Sequence, residues 1–288
     1  MYTEKNTNRY RYYLDTYILP KLGLFSMEEI TSKFILDEVL RPLETKDLID
    51  TARRVKGVIS NVFQYAITLS EIQHNPASDL GGLLKIKKTK HRATILDPLE
   101  IGRLLDDIAS YNGTPSVEFA LKILPYVFTR PGELRNVEWT EIDFIKKVWI
   151  IPAAKMKMRS QHCVPLSRQV LFLFEELKKY TGNGKYLFPG RAANKPISDV
   201  TLIAALRYLG YSSERICPHG FRALASTTLN ELGYNSDWIE RQLAHCERSG
   251  VRAAYNHADY LKERTRMMQE WADHLDKLCQ DYLSSRKV

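Results

Sequence analysis

Between residues 51 and 70 the apolar side chains Ala52, Val55, Val58, Ile59, Val62, Phe63, Ala66 and Ile67 recur every three or four positions. That spacing predicts one long amphipathic helix with a wide apolar stripe. Arg53, Arg54 and Lys56 stand off the stripe, facing solvent or a ligand. Asn75-Pro76 marks a break after it. Shorter helices are predicted over residues 9–17 and 32–40, so the first third of the chain reads as a small helical bundle.

The remainder mixes two periods. Residues 99–108 and 117–127 carry helical spacing, whereas 148–151 and 162–166 read as short β segments around the basic loop Lys155-Met-Lys-Met-Arg159. Ser167, Ser198 and Ser236 are each suited to cap a following helix. Near the end, Met267, Met268, Trp271, Leu275, Leu278 and Tyr282 recur at helical spacing, as a core helix would require. The expected class is mainly α with a small β-sheet.

Composition narrows the setting. With 44% hydrophobic and 26% charged residues, the 288-residue chain has the profile of a globular protein. Its apolar runs are too short for a bilayer, and its first residues form no signal-peptide core. Membrane insertion and secretion are therefore not expected, and a cytoplasmic setting is. Cys163, Cys217, Cys246 and Cys279 form no C-x-x-C pair, so neither structural zinc nor any other metal is anticipated, and the thiols are expected reduced.

Charge then points toward a polyanion without naming one. The balance of 42 basic against 34 acidic residues gives +8. Residues 1–92 hold 15 basic and 11 acidic residues, which leaves 27 and 23 of those totals for the rest. Each part is thus +4. Between them lie Lys85, Lys87, Lys88, Lys90 and Arg92 with no acidic residue, following Gly81-Gly82. This stretch is either a solvated linker or a strap along phosphates.

Four separated segments carry candidate chemistry: Thr129-Arg-Pro-Gly-Glu-Leu-Arg135, the loop from Lys155 to Arg159, His219-Gly-Phe-Arg222, and His245 followed ten residues later by Tyr255. Singly each is weak. A His-x-x-Arg places two side chains on one helical face, and one tyrosine among 16 is ordinarily a packing residue.

Taken together and in this order, the segments resemble the catalytic boxes of the tyrosine recombinases, the phage integrase family. The likeness is strongest to integrases of prophages and genomic islands, through Met156-Lys-Met-Arg, Val164-Pro-Leu-Ser, His219-Gly-Phe-Arg and Arg252-Ala-Ala-Tyr-Asn. It extends to the N-terminal part through Thr51-Ala-Arg-Arg-Val, Val62-Phe-Gln-Tyr-Ala and Asn75-Pro-Ala. The resemblance implies a helical, SAM-like core-binding domain over 1–84, a basic linker over 85–93 and a catalytic domain over 94–288. It also implies that a further N-terminal arm-binding domain is either truncated or naturally missing.

By the same resemblance, Arg130 and Arg222 match the two family arginines, His219 the histidine of the His-x-x-Arg box, His245 the later His-or-Trp position and Tyr255 the nucleophile. Lys157 matches the hairpin lysine, eight residues before Pro165, with Lys155 as runner-up. Glu133 matches the acidic residue that supports the first arginine. Arg53, Arg54, Lys56 and the five basic residues from Lys85 to Arg92 are candidate DNA contacts.

The chemistry suits these types. A phosphodiester gains charge when attacked, and forked, permanently protonated guanidiniums match that load. Tyrosine, with an ordinary pKa of about 10, must shed a proton to attack, and His219 is the candidate base. Lys157 is the candidate acid for the leaving 5′-hydroxyl. The resemblance implies a 3′-phosphotyrosyl intermediate, no ATP, no metal and no cofactor. It further implies a C-shaped clamp on duplex DNA attachment sites, a homotetramer on paired sites, and possible excisionase and DNA-bending partners in a bacterial or phage-infected cell, at the nucleoid. The helix after Tyr255 is expected to dock in part on a neighbouring protomer. The rival readings are a type IB topoisomerase, which uses similar residues, and a non-catalytic DNA-binding protein.

Overall fold

A computed structural model describes residues 4–87, 93–156, 159–192, 194–245 and 259–286, and divides the chain into two compact units, Met1–Lys90 and His91–Val288. Helices dominate both, and among the described residues the strands form one small sheet.

In the first unit, α1 (Glu4–Tyr13) passes through a π turn at Leu14–Ile18 into α2 (Leu19–Leu22). The same device recurs where α3 (Ser32–Ile35) passes through a π turn at Leu36–Leu40 into α4 (Arg41–Thr45). Each π turn closes with an i→i+5 bond, Leu19 N–H to Leu14 O and Arg41 N–H to Leu36 O. Proline explains both. Pro20 and Pro42 lack an N–H, and their rings push against the carbonyl four residues back, so the helix widens just before each one.

The long predicted helix is α5 (Ile49–Thr68). Ala52, Val55, Val58, Ile59 and Phe63 are buried in one cluster with Tyr13, Ile35, Leu40 and Leu43, and Ala66 is buried too. Val62 was expected in that stripe, but it lies at its margin and is exposed. Asn75 secures the break after the helix. Its Nδ2 donates to the Ser60 carbonyl at 3.0 Å and its Oδ1 accepts the Ala77 N–H at 2.9 Å.

The second unit contains α6 (Pro98–Ala109), α7 (Pro115–Val127), α8 (Pro131–Arg135), α9 (Arg168–Thr181), α10 (Thr201–Tyr208), α11 (Gly220–Glu231), α12 (Ser236–Gln242) and α13 (Leu261–Ser285). The first three open with proline at the first helical position, where no N–H is required. Ser167 caps α9 as expected. Ser198 does not cap: α10 starts three residues later, and the Ser198 hydroxyl pairs with that of Thr201 instead. Asn235 rather than Ser236 caps α12: its side-chain oxygen accepts the Asp237 N–H at 2.8 Å, and the helix starts one residue earlier.

The predicted β segments form the hairpin β2 (Val148–Ile151) and β3 (His162–Pro165), paired antiparallel with Trp149 opposite Val164 and Ile151 opposite His162. A two-residue strand, β1 (Ile142–Asp143), joins β2 on its other edge. Two residues are too few to leave a period in sequence.

In α13 the residues Met267, Met268, Trp271, Leu275 and Leu278 are buried in the core of their own unit. The apolar stripe thus packs within its own unit, on α6 and α7, as a core helix requires. The α6 crossing is close. A Cβ on Gly102 would lie 2.3 Å from the Leu278 carbonyl oxygen, so only glycine fits. Among the described residues no helix is long and apolar enough to cross a membrane.

Candidate functional site

The end of α12 organises the site. Leu243 caps the helix, Ala244 turns into the left-handed region at φ 48°, and His245 follows. The His245 N–H bonds the Glu240 carbonyl at 3.1 Å and the Ala244 N–H bonds that of Arg241 at 3.0 Å. This paired closure is a Schellman ending, built here without glycine. It leaves the carbonyls of Leu243 and Ala244 for other donors, at the negative end of the helix. Two arginines take them. Arg222 Nη2 reaches Leu243 O at 2.6 Å, and Arg130 Nη2 reaches Ala244 O at 3.0 Å.

Arg130 owes its position to the junction of α7 and α8. Phe128 ends α7 with φ 35°, an unusual left-handed conformation for a bulky residue. Complete burial and an edge-on contact with Trp271, 6.0 Å between ring centres at 88°, hold it there. Arg130 then precedes α8 as its N-cap. Glu133 grips it twice, accepting the backbone N–H at 2.9 Å and Nη1 at 2.7 Å. The support expected of Glu133 thus corresponds to a direct ion pair.

Arg222 is 5% exposed and also donates to the carbonyl of Phe128 at 3.0 Å. Burial first, and the nearby Arg130 second, lower its pKa to about 10, while Glu133 and Glu240 oppose the shift. It stays protonated at neutral pH. His219 stands at the N-cap of α11, so His219 and Arg222 fall in one helical turn. Between them Gly220 is sterically required: a Cβ would meet the Ala93 carbonyl oxygen at 2.7 Å.

His245 joins the arginines. Its Nε2 lies 3.2 Å from Arg222 Nη2 and its Nδ1 lies 2.7 Å from Glu240 Oε2. The structure thus brings Arg130, Glu133, Arg222 and His245 into one connected network. Lys157 and Tyr255 lie outside the described residues.

Lys155 is committed elsewhere. Its ammonium donates to Glu138 at 2.7 Å, to the Asn136 carbonyl at 2.9 Å and to Glu141. Burial would depress its pKa, but the bonds to Glu138 and Glu141 outweigh that and hold it raised. Glu141 is buried and also accepts the indole N–H of Trp149 at 2.9 Å. Lys155 therefore fastens the hairpin to the segment after α8.

One cluster was not foreseen. Arg264, 1% exposed, donates through Nε and Nη2 to Gln242 Oε1 at 3.1 and 2.6 Å, to Cys163 O at 2.6 Å and to Asp259 O at 3.2 Å. Desolvation lowers its pKa to about 10. His162 Nε2 lies 3.2 Å from the carbonyl of the same Gln242. Burial, then the charge of Arg264, depress the His162 pKa to about 3, so the ring is neutral and Nε2 donates. Arg264 thus ties β3, α12 and the start of α13 together. A lone arginine in a charged helix carried no sequence signal for this.

Two other tyrosines, Tyr234 and Tyr260, make polar contacts of their own. Tyr234 donates to Glu270, and burial together with that carboxylate raises its pKa to about 12. Tyr260 caps α13 in the left-handed region and has polar contacts of its own.

In the first unit the expected basic residues divide. Arg54 is exposed. Arg53 is exposed and donates to the Lys85 carbonyl at 3.3 Å, while Lys56 donates to that of Ser78 at 3.0 Å. The Lys85 N–H bonds the buried Glu44, and Lys87 pairs with Asp50 at 3.4 Å. Lys88, Lys90 and Arg92 lie outside the described residues. Among the described residues no group of three or more His, Cys, Asp or Glu is placed to hold a metal ion.

Comparison with known proteins gives consistent matches. The sequence pattern of the phage integrase family fits residues 94–262, and that of the phage integrase central domain fits residues 1–83. The integrase of Enterobacteria phage P4 is 36% identical over 299 residues, spanning 98% of this chain and 68% of that protein. Prophage integrase IntZ of Escherichia coli (strain K12) is 34% identical, spanning 96% and 68%. Among solved structures, a lambda integrase dimer bound to a COC′ core site superposes with a TM-score of 0.67 at 17% identity, covering 86% of this chain and 90% of that one. The Tn1549 transposon integrase in complex with transposon right end DNA gives 0.68 at 18%, covering 92% and 93%. At such identities these structures establish the fold.

Proposed function

The chain belongs to the phage integrase family, whose members carry out site-specific DNA recombination, and from that premise we propose that it cuts and rejoins DNA through a 3′-phosphotyrosyl bond to Tyr255. The observation that carries this reading is the pairing of Arg130 and Arg222 on consecutive carbonyls of one helix ending, with His245 as the next residue. Side chains from three separate elements converge there, Arg130 held by Glu133 and His245 by Glu240.

In this reading Arg130 and Arg222 take the non-bridging oxygens of the scissile phosphate, exchanging carbonyl partners for a full anion. Each positioned donor lowers the barrier by about 3 kcal/mol. Glu133 keeps Arg130 aligned. His219 receives the Tyr255 phenolic proton as the oxygen attacks phosphorus. The bond to the 5′-oxygen breaks, and Lys157 supplies the proton that oxygen needs. Lys155 does not fit that role, since two carboxylates already hold it. Rejoining reverses the steps with a different 5′-hydroxyl, so the bond energy is conserved.

The partner is duplex DNA carrying attachment sites. Arg54 and the basic stretch that begins at Lys85 supply backbone contacts. A solved lambda integrase relative is a tetramer bound to a Holliday junction, and we extend that assembly to this chain on paired sites. Excisionase and DNA-bending proteins would set direction.

The test is a nicked suicide duplex bearing the attachment site. Wild-type protein should accumulate a covalent adduct resistant to denaturant. Tyr255→Phe should bind the same duplex with unchanged affinity and form none. An adduct at normal yield in that variant would remove Tyr255 as nucleophile.

A further inference from the structure

Glu240 belongs to none of the family boxes, yet it is bound to His245 twice. Its main-chain carbonyl accepts the His245 N–H at 3.1 Å, and its Oε2 lies 2.7 Å from Nδ1. Schellman geometry explains the proximity, because it brings the third residue from the helix end beside the second residue beyond the cap. A hydrophobic contact usually fills that position. Here a carboxylate faces an imidazole.

The third group fixes the tautomer. Arg222 can only donate, so at 3.2 Å His245 Nε2 is the acceptor. The ring proton then sits on Nδ1 and points at Glu240. In this state Nε2 offers a lone pair. Such a ring cannot donate to a phosphate oxygen; it would repel one.

We infer that Glu240 is a positioning residue for strand transfer: it aligns His245 through Nδ1–H and supplies the negative charge that lets Nε2 take up a proton when a phosphate oxygen replaces Arg222 as its partner. The inference rests on the recombinase reading above. The proton balance is simple. Nδ1–H stays on Glu240 throughout, one proton enters from solvent at Nε2, and no bond to phosphorus changes in this step. Arg222, freed from Nε2, turns the same N–H to the phosphate.

Other charged and titratable groups on the elements that meet here are Arg241 on α12, which pairs with Asp259, Arg222 on α11 with His219 at its N-cap, and the Arg130–Glu133 pair at the start of α8. Glu133 is engaged by Arg130. Glu240 is therefore the one of these carboxylates in direct contact with the imidazole.

The experiment measures single-turnover covalent adduct formation on the nicked duplex from neutral to alkaline pH. Wild-type protein sets the reference profile. Glu240→Gln keeps an oxygen for Nδ1–H but removes the charge that favours a proton on Nε2, so the profile should drop about tenfold, most on its alkaline side. DNA affinity should not change. In a His245→Trp background the indole donates without an added proton, and Glu240→Gln should then have no effect on the profile. Superimposable wild-type and Glu240→Gln profiles would overturn the inference, as would an undiminished drop in the His245→Trp background. Wild-type protein that forms no adduct at any pH would instead bring down the recombinase reading itself.

Discussion

Arg130 donates to the carbonyl of Ala244 at 3.0 Å across 114 residues of sequence. That bond joins the start of α8 to the end of α12, and the neighbouring carbonyl of Leu243 receives Arg222. Two carbonyls at a helix C-terminus hold two cations close together before any phosphate offsets their repulsion. In the proposed reaction, preorganisation of this kind would let the arginines meet charge as it develops.

The carboxylate of Glu133 aims Arg130, so Glu133→Gln should weaken cleavage without weakening binding. The amide can still accept a hydrogen bond but no longer pairs a charge. Adduct formation should slow about tenfold while the gel-shift midpoint stays in place, since misalignment costs rate before affinity. Equal losses in both would assign Glu133 to binding instead.

The two hairpin lysines should fail differently. Lys155→Met leaves buried Glu141 without its counter-charge and Glu138 with Lys185 alone, and should cost about 2 kcal/mol in urea unfolding. Lys157→Met, at the proposed general acid, should slow strand cleavage by about a hundredfold or more. Reversed phenotypes would move the acid to Lys155.

His162 should make the second unit acid-sensitive. Its folded pKa is near 3, against an ordinary 6.5. The unfolded chain therefore binds the extra proton below about pH 6.5, and stability is lost as pH falls from there toward 3. Between pH 7 and pH 5 this amounts to about 2 kcal/mol. Urea midpoints at the two pH values should converge in His162→Gln by that amount relative to wild type.

Arg264→Lys should separate fold from chemistry. Lysine keeps the charge but cannot satisfy Gln242, Cys163 and Asp259 together. Unfolding stability should drop by about 2 kcal/mol. Adduct yield on folded protein should fall further than DNA affinity, because Asp259 lies four residues after Tyr255 in sequence.

Gly102→Ala tests the crossing of α6 and α13. Helix propensity alone would favour alanine by about 1 kcal/mol. The 2.3 Å approach to Leu278 O reverses the sign, and a net loss of about 2 kcal/mol is expected from overpacking. A stabilised variant would mean that the two helices can part at little cost.

Particular residues mark what was legible in sequence. The period of α5 and of α13, the hairpin strands, and the spaced set Arg130, His219, Arg222, His245 and Tyr255 are local or motif-borne, and a linear reading reaches them. The apolar stripe of α13 was visible too, but not its destination, because periodicity reports a buried face and not what buries it. Ser198 and Ser236 looked equally good as caps. Capping is decided by which backbone N–H each side chain meets.

The chain by itself determined the class of fold, the family and the types of side chain that meet a phosphate. Only the tertiary structure decided that Lys155 is consumed by Glu138 and Glu141, that Arg264 holds three elements through one guanidinium, and that Glu240 and Arg222 fix the tautomer of His245. The physical reason is common to all three. Hydrogen bonds act over about 3 Å in space, and the groups that make these bonds come from positions up to a hundred residues apart, where no sequence period connects them.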